Sequence, residues 1–225
     1  MGDIITDVFG EIVDTTDTEE IIKRVILRPT NEGTLSLNDQ IVARQPGKST
    51  VYTSVDSIVC ENGEDPNEFP QEFLYTLTPT GMPPHELTLK IGTVVMLLRN
   101  LDLKNGLCNG SRLIIRQLHN YVLECEVLTG TSKGERVLIP QIKLVPTSKT
   151  LPFIFERLQF PVRVAFAMTI NKSQGQTFQI VGIALEYSVF SHGQLYVAFS
   201  RGRNFHSIKV QLPSGKNQHK KYCLS

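Results

Sequence analysis

The sequence lacks the patterns that mark membrane, secreted and zinc-binding proteins. Its four cysteines form no C-x-x-C pair and no Cys/His cluster, so we expect free thiols in a reducing compartment and no bound metal. The longest apolar runs, such as Ile91 to Leu98, are much shorter than the roughly 20 residues of a membrane-spanning helix. Residues 1–22 carry seven acidic and no basic residues, which argues against a signal or transit peptide. These absences predict a protein of the cytosol or the nucleus that contacts no membrane.

A phosphate-binding loop of the form G-x-x-x-x-G-K-[S/T] is also missing. Gly47, Lys48 and Ser49 supply the last three letters, but Val42 occupies the first glycine position. The glycines of such a loop let successive N–H groups converge on a phosphate. We therefore interpret residues 47–50 as a plain turn between a helix and a strand. No Ser/His/Asp or paired-carboxylate arrangement stands out either, so an acyl or glycosyl hydrolase is not supported.

The net charge of +1 hides a gradient along the chain. Residues 1–75 carry 5 Lys/Arg against 15 Asp/Glu, residues 76–150 carry 9 against 5, and residues 151–225 carry 9 against 2. A basic C-terminal third suits a polyanionic partner such as a nucleic acid. The alternative is that these charges only solvate exposed faces, and charge alone does not decide between the two.

Changes in composition along the chain predict an α/β protein with an inserted β-rich region. An acidic lead-in (1–20) precedes an α/β segment (21–77), and the stretch Thr78–Pro84, rich in Pro and Gly, marks a boundary. Short β-type runs separated by Asn-Gly, His-Asn and Thr-Gly turns fill residues 78–150, a pattern typical of a small antiparallel barrel. Residues 151–212 then alternate as β-α-β-α-β, and a polar basic tail (213–225) follows.

Individual elements follow from the apolar pattern. Apolar spacing predicts an amphipathic helix at Thr34–Arg44 and a strand at Val51–Val59. The run from Val162 to Met168 predicts one buried strand, and a helix is expected at His192–Ser200.

The segment Val164–Thr177 carries the most specific chemical signal. Its buried strand leads into a polar turn, where hydroxyls, amides and backbone N–H groups can hold phosphates. In this hypothesis Thr169, Lys172 and Ser173 hold the backbone phosphates of a nucleic-acid strand, and Gln174 and Gly175 lie near a nucleotide. The alternative is an ordinary helix start capped by Asn171 or Ser173.

Arg201 is the candidate catalytic residue. It lies in the segment Gln194–Arg203, after the helix-like residues Gln194–Phe199. From that position its guanidinium could cross a domain cleft toward a γ-phosphate. Such an arginine neutralises charge that develops in the transition state of phosphoryl transfer. The alternative is a surface arginine favoured by the helix dipole. The nearby polar turn favours the functional interpretation.

Together these segments resemble the C-terminal half of the petite-integration-frequency family of DNA helicases, which includes the helicase region of Helitron transposons. The resemblance covers the chain from about Val25 to Leu212. Besides the segments Val164–Thr177 and Gln194–Arg203, it is carried by Ile26–Glu32, Pro70–Leu74, Thr78–Pro84, Met96–Leu101 and Gly106–Arg112.

The resemblance implies an ATP-driven 5′-to-3′ helicase with two RecA-like motor domains and a Src-homology-3-like barrel inserted in the second. It implies that Arg201 reaches the ATP and that Pro29, Thr30 and Asn31 lie along the DNA path. It further implies that one turn couples the DNA strand to the nucleotide cleft through Thr169, Lys172, Ser173, Gln174 and Gly175. Roles in repair, recombination, telomere maintenance or transposition are implied for the family, and a mitochondrial location stays open.

The sequence departs from the family in ways that change the expectation. The first motor domain, with its phosphate loop and magnesium aspartate, is missing, so we expect a helicase fragment that supplies Arg201 and part of a single-strand DNA groove. ATP and Mg²⁺ would then be held only together with that missing domain, which becomes a partner alongside single-stranded DNA. Phe199 replaces a smaller aliphatic residue. Gly202 replaces a helix former, which weakens a helix end by about 1 kcal/mol and is expected to loosen Arg201.

Two alternatives remain open on the sequence alone. The chain could be a non-enzymatic nucleic-acid-binding module or a decayed transposon-derived helicase remnant, in which the basic third binds single strands without ATP chemistry. It could also be a protein-interaction barrel, which salt-insensitive binding of a partner without DNA affinity would indicate.

Overall fold

The computed structural model describes residues 3–59, 69–146, 151–185 and 192–212. Five α-helices lie in these ranges: α1 (Ile4–Phe9), α2 (Thr18–Ile21), α3 (Asn31–Arg44), α4 (Gln71–Thr76) and α5 (His192–Phe199). The first seven strands are β1 (Arg24–Arg28), β2 (Thr50–Thr53), β3 (Val55–Val59), β4 (Glu86–Leu89), β5 (Val94–Leu97), β6 (Arg112–Leu118) and β7 (Val122–Val127). The remaining strands are β8 (Arg136–Pro140), β9 (Ile142–Leu144), β10 (Ile154–Gln159), β11 (Val162–Val164), β12 (Ala167–Thr169), β13 (Ile180–Ala184) and β14 (Ile208–Gln211).

A four-stranded parallel sheet, in the order β12-β1-β13-β14, forms the α/β part of the molecule. Its inner strands are almost continuous apolar runs, as expected for parallel strands buried on both faces. Helices α1 and α3 pack against it. Gly182 in β13 allows α1 to approach, because a Cβ there would lie 2.8 Å from Val8 Cγ2. The acidic start of the chain therefore contributes apolar side chains to the core.

An antiparallel β-rich region interrupts the α/β part, and its strands run from β2 to β11, beyond both ends of the predicted insertion at 78–150. Its main sheet has the order β11-β5-β6-β7-β8, and the sheets β2-β4 and β3-β10-β9 accompany it. Hydrogen bonds from Gln159 Nε2 to the carbonyl oxygens of Tyr52 (3.0 Å) and His85 (3.1 Å) connect the smaller sheets. One hydrophobic core runs through both the parallel sheet and the five-stranded sheet. A smaller core contains Leu74, Met82, Leu144 and Phe155.

Two predicted strands are each divided between two sheets, which corrects the sequence interpretation. The strand predicted at Val51–Val59 breaks at Ser54, whose hydroxyl bonds Asp56 Oδ1 (2.7 Å) and His85 Nδ1 (2.8 Å). The strand predicted at Val162–Met168 breaks at residues 165–166, because β11 pairs antiparallel with β5 whereas β12 pairs parallel with β1. Periodicity does not reveal such a break, since both halves are buried.

Other predicted elements are confirmed with small shifts. The helix expected at Thr34–Arg44 begins earlier, at Asn31, and the turn at Gly47 has the positive φ (96°) that glycine favours. The predicted tail, residues 213–225, lies outside the described residues. No described helix has the length and apolar character needed to cross a membrane.

Candidate nucleic-acid interface

Two of the segments singled out in the sequence leave the parallel sheet side by side. Strands β1 and β12 are parallel neighbours, and Arg28 stands opposite Thr169 in their register. Parallel strands end at the same edge of a sheet, so Pro29–Asn31 and the turn after Thr169 emerge together at that edge. Thr30 and Asn31 are exposed, and Pro29 is half-buried. Residues about 140 positions apart in sequence therefore form one surface, which we call the carboxyl edge.

The Pro29–Asn31 segment is the start of helix α3. Thr30 has an extended backbone, and its carbonyl oxygen accepts hydrogen bonds from the Thr34 N–H (3.3 Å) and the Thr34 hydroxyl (2.7 Å). The Thr30 hydroxyl makes no capping bond. The first N–H groups of α3 therefore point out of the carboxyl edge, where the helix dipole favours an anion.

A buried arginine lies beneath this helix start. The Arg28 guanidinium donates a hydrogen bond to the Gly33 carbonyl oxygen. Gly33 permits this approach, because a Cβ there would lie 2.9 Å from Arg28 Cζ. Burial lowers the pKa of Arg28 from its usual value, but the group stays cationic at neutral pH. It adds positive potential to the edge at which α3 begins.

The polar turn predicted after the strand is a short 3₁₀ helix, Ile170–Ser173, rather than the α-helix start of the alternative interpretation. Ile170 and Ser173 are buried, and the Ser173 hydroxyl donates to the Ile170 carbonyl oxygen (2.7 Å). That hydroxyl is therefore engaged inside the turn. Lys172 points outward and is exposed, and no carboxylate among the described residues pairs with it. Neither Asn171 nor Ser173 caps the turn; Thr169 holds the cap position without a side-chain bond.

Gln174 and Gly175 form the exposed far side of the turn. Gly175 has a φ of 77°, a left-handed conformation that side-chain-bearing residues rarely adopt. The space around its Cα is open, since a Cβ there would meet no atom within 4 Å. The backbone conformation at position 175 thus requires glycine, and the open space around it leaves room for a ligand.

Arg201 contacts the same turn, through backbone carbonyl groups. Its Nη1 lies 3.1 Å from the Gln176 oxygen and 3.4 Å from the Ser173 oxygen. Its Nε donates to the Val197 oxygen (3.0 Å), and Nη2 donates to Ser200 Oγ (2.9 Å). The half-buried guanidinium therefore joins helix α5 to the turn. To act on a phosphate it must exchange some of these bonds for the ligand.

Packing explains the two residues near Arg201 that depart from the family pattern, Phe199 and Gly202. Gly202 forms a bridge with Phe178, and a Cβ at Gly202 would lie 2.8 Å from Ile208 Cγ1. The Phe178 N–H donates to the Arg201 carbonyl oxygen (2.9 Å), so the backbone on both sides of Arg201 is fixed. Phe199 packs against the main core. These contacts give Gly202 a packing role beside Arg201, and the loosening expected there stays a prediction.

Two asparagines that the sequence interpretation missed support the candidate surface. Asn38 is buried in α3; its Nδ2 donates to the carbonyl oxygens of Val164 and Ala167 (both 2.9 Å), and its Oδ1 accepts from the Ala167 N–H (2.8 Å). A polar residue within the apolar stripe of α3 was the available signal. The second is Asn109, whose Oδ1 lies 3.4 Å from Lys172 Nζ. Nothing in the local sequence indicates that contact, because 63 positions separate the two residues.

The described residues offer no metal site. None of them form a group of three or more His, Cys, Asp or Glu side chains able to hold a metal ion. Residues 47–50 form a helix-to-strand turn and no phosphate cradle. The groups at the carboxyl edge are N–H groups, an amide, hydroxyls and the Lys172 ammonium, with the exposed Glu32 carboxylate in the first turn of α3.

The chain is similar in sequence to known DNA helicases. Residues 72–118 match the family model "DNA helicase Pif1, 2B domain". The chain is 30% identical over 173 residues to the ATP-dependent DNA helicase PIF1 of Xenopus laevis, which covers 77% of this chain and 25% of that protein. It is 36% identical over 131 residues to the human ATP-dependent DNA helicase PIF1, covering 55% of this chain and 19% of that protein.

The fold agrees with these sequence relationships. The crystal structure of Bacteroides Pif1 bound to single-stranded DNA superposes with a TM-score of 0.61 at 26% identity, covering 83% of this chain and 40% of that one. The antiparallel region contains the residues that match the 2B domain, in agreement with the predicted barrel insertion. The chain spans about a quarter of the length of the Xenopus relative.

Proposed function

We propose that this chain is the part of an ATP-dependent DNA helicase that binds single-stranded DNA and supplies an arginine to ATP hydrolysis. The basis is its similarity, in sequence and in fold, to the C-terminal region of Pif1-family DNA helicases. The observation that carries the proposal is the carboxyl edge. There Pro29–Asn31 and Thr169–Lys172 leave adjacent parallel strands, which supports the proposal that the two segments bind one anionic strand together. We propose 5′-to-3′ unwinding in the nucleus or cytosol as the activity of the whole enzyme.

Each group at the carboxyl edge has a role in this proposal. The exposed Lys172 ammonium pairs with a strand phosphate, while the Thr169 and Thr30 hydroxyls and the first N–H groups of α3 donate to neighbouring phosphates. The buried Ser173 hydroxyl orders the turn instead of reaching the strand. Gln174 and Gly175, on the open side of the turn, face the nucleotide. Contacts of this kind hold the sugar-phosphate backbone and are independent of base sequence.

Arg201 joins the strand-binding turn to the nucleotide. Its guanidinium bonds the Ser173 and Gln176 carbonyl groups, so a shift toward a γ-phosphate would alter the turn that also carries Lys172. The residues present do not fit an ATP–Mg²⁺ site by themselves, because they include neither a phosphate cradle nor a cluster of metal ligands among the described positions. A separate motor domain must hold both.

Binding of residues 1–225 to fluorescent single-stranded DNA over a salt series tests the proposal. Lys172→Ala should weaken binding and reduce the magnitude of the log Kd versus log salt slope by about 0.7, the value for one phosphate contact on a single strand. Lys48→Ala is the matched control. Lys48 is an exposed lysine after the opposite end of α3, roughly 20 Å from the carboxyl edge. Equal effects of both variants, or no binding at low salt, would contradict the proposal.

The second candidate is a non-enzymatic nucleic-acid-binding module. The observation that favours it is the engagement of the Arg201 guanidinium by carbonyl groups of its own chain, which a purely structural arginine also shows. Sequencing of transcripts upstream of codon 1 separates the two candidates. An in-frame G-x-x-x-x-G-K-[S/T] segment supports the enzyme, and its absence from every transcript supports the module.

A further inference from the structure

Lys172, the exposed cation of the carboxyl edge, reaches across to the antiparallel region. Its Nζ lies 3.4 Å from Oδ1 of Asn109. Asn109 belongs to the segment between β5 and β6, residues 98–111, which we call the β5–β6 loop. The Asn109 N–H in turn donates to Asn100 Oδ1 (2.8 Å) within the same loop. The tip of the lysine side chain therefore meets a residue of a region outside the parallel sheet.

The β5–β6 loop has the internal bonds needed to act as a rigid support. Leu101 and Leu107 are joined by a backbone hydrogen bond of 2.9 Å, and the Gly110 N–H donates to the Leu97 oxygen (2.9 Å). The Asp102 carboxylate accepts from the Lys104 N–H (3.0 Å) and from Asn105 Nδ2 (2.7 Å). These bonds restrain the loop backbone around Asn100 and Asn109, which lowers the ordering cost of binding through these residues.

Asn109 also has unused donor capacity next to the ammonium. Its Oδ1 and its backbone N–H have partners, whereas its exposed Nδ2 bonds none of the described residues. An amide NH₂ group beside a lysine ammonium offers several N–H donors to one anion, and the described carboxylates make no contact with either group. This combination matches a phosphodiester oxygen, because such contacts use lysine and asparagine side chains.

We propose that Asn109, oriented by Asn100, is part of the strand-binding surface, so that a single phosphate of the bound strand contacts Lys172 of the α/β part and Asn109 of the antiparallel region at once. This inference rests on the proposed binding of single-stranded DNA. Its consequence is that the bound strand bridges the two parts of the molecule. Asn109 then has two functions: it positions the ammonium, and it donates to the same phosphate.

A double-mutant cycle on single-stranded DNA binding tests this inference. Asn109→Ala is expected to weaken binding roughly 3- to 10-fold, the range for loss of one or two hydrogen bonds. In the Lys172→Ala background the same change should have a much smaller effect, because the two groups share one phosphate. Asn109→Asp should bind more weakly than Asn109→Ala, since its carboxylate would pair with Lys172 and repel the phosphate. Asn120→Ala, an exposed asparagine on the turn between β6 and β7, is the matched control and should bind normally.

The outcomes separate failure of the inference from failure of the proposed function. If the unmodified protein binds single-stranded DNA and the Asn109→Ala variant binds it equally well, the inference alone is overturned. If the losses of affinity of the two single variants multiply in the double variant, the two contacts are independent. That result also overturns the proposal of a shared phosphate. Absence of binding by the unmodified protein overturns both the inference and the proposed function. Thermal melts of each variant identify any loss that comes from unfolding, and the exposed position of Asn109 predicts none.

Discussion

Two buried arginines in this protein differ in how completely their N–H groups are paired. Arg157 donates to both carboxylate oxygens of Asp56, from Nε (2.8 Å) and Nη2 (2.6 Å), and to three backbone carbonyl groups. Arg112 donates from Nη1 to the Ile22 oxygen (2.9 Å) and lies over the Phe178 ring, but its Nε and Nη2 have no partner among the described residues. Burial lowers the pKa of Arg112 to about 10.

This difference predicts that the same substitution destabilises the protein strongly at Arg157 and little at Arg112. Arg157→Met leaves the buried Asp56 carboxylate without its cation and should lower the free energy of unfolding by roughly 3–5 kcal/mol. Arg112→Met removes a desolvated charge and two donor groups that have no partner among the described residues, and it loses one hydrogen bond. Its free energy of unfolding should therefore stay within about 1 kcal/mol of that of the unmodified protein. Urea unfolding followed by circular dichroism measures both. Equal destabilisation by the two variants would show that pairing does not control the effect.

Cys125 should be chemically inert in the folded protein. Burial, assisted by the neighbouring Glu124 carboxylate, raises the pKa of the Cys125 thiol to about 12. The reactive thiolate is then about 10⁻⁴ of the population at pH 8, and it increases about tenfold with each unit of pH below 12. Alkylation followed by peptide mass spectrometry should label the half-buried Cys108 before Cys125. Urea should abolish the difference, whereas equal rates without urea would contradict the assignment.

At the scale of elements, the corner between β11 and β12 depends on Asn38. Its amide makes three hydrogen bonds to the backbone of this corner, and the corner carries the chain from the antiparallel region into the parallel sheet. Position and pairing of β12 determine where Thr169 and Lys172 emerge. Helix α3 thereby supports the candidate site through a buried residue.

Asn38→Leu tests this support with a side chain of similar size. The change leaves the buried backbone groups at Val164 and Ala167 unpaired, so the free energy of unfolding should fall by roughly 2–4 kcal/mol. Gln40→Ala, on the exposed side of the same helix, should change it by less than about 0.5 kcal/mol. Thermal or urea melts provide the comparison. A stable Asn38→Leu variant would mean that strand pairing alone maintains the corner.

At the scale of the whole molecule, we expect residues 1–225 alone to show no steady ATP hydrolysis, with or without single-stranded DNA. Arg201 can stabilise a transition state only when another domain presents the nucleotide and its metal. Phosphate release measured at saturating ATP is the assay. Hydrolysis that Arg201→Ala abolishes would refute the expectation, whereas hydrolysis unaffected by that change would indicate a contaminating enzyme.

The sequence predicted elements more reliably than the boundaries between sheets. The helices α3 and α5 follow from patterns in the sequence, because each depends on residues that are near one another along the chain. The break within Val162–Met168 could not be predicted, since both halves are equally apolar and only their different pairing partners distinguish them. The same applies to the break at Ser54, which depends on a bond to His85.

By itself, the sequence determined the α/β class with its β-rich insertion, the family resemblance and the residue types available for binding phosphate. These properties depend on local patterns and on motifs read along the chain. Only the tertiary structure decided which residues share a surface. The register of β1 with β12 joins Pro29–Asn31 to Thr169, and packing between the two parts of the molecule brings Asn109 to Lys172. Such contacts arise from strand pairing and core packing between distant segments, and no local pattern encodes them.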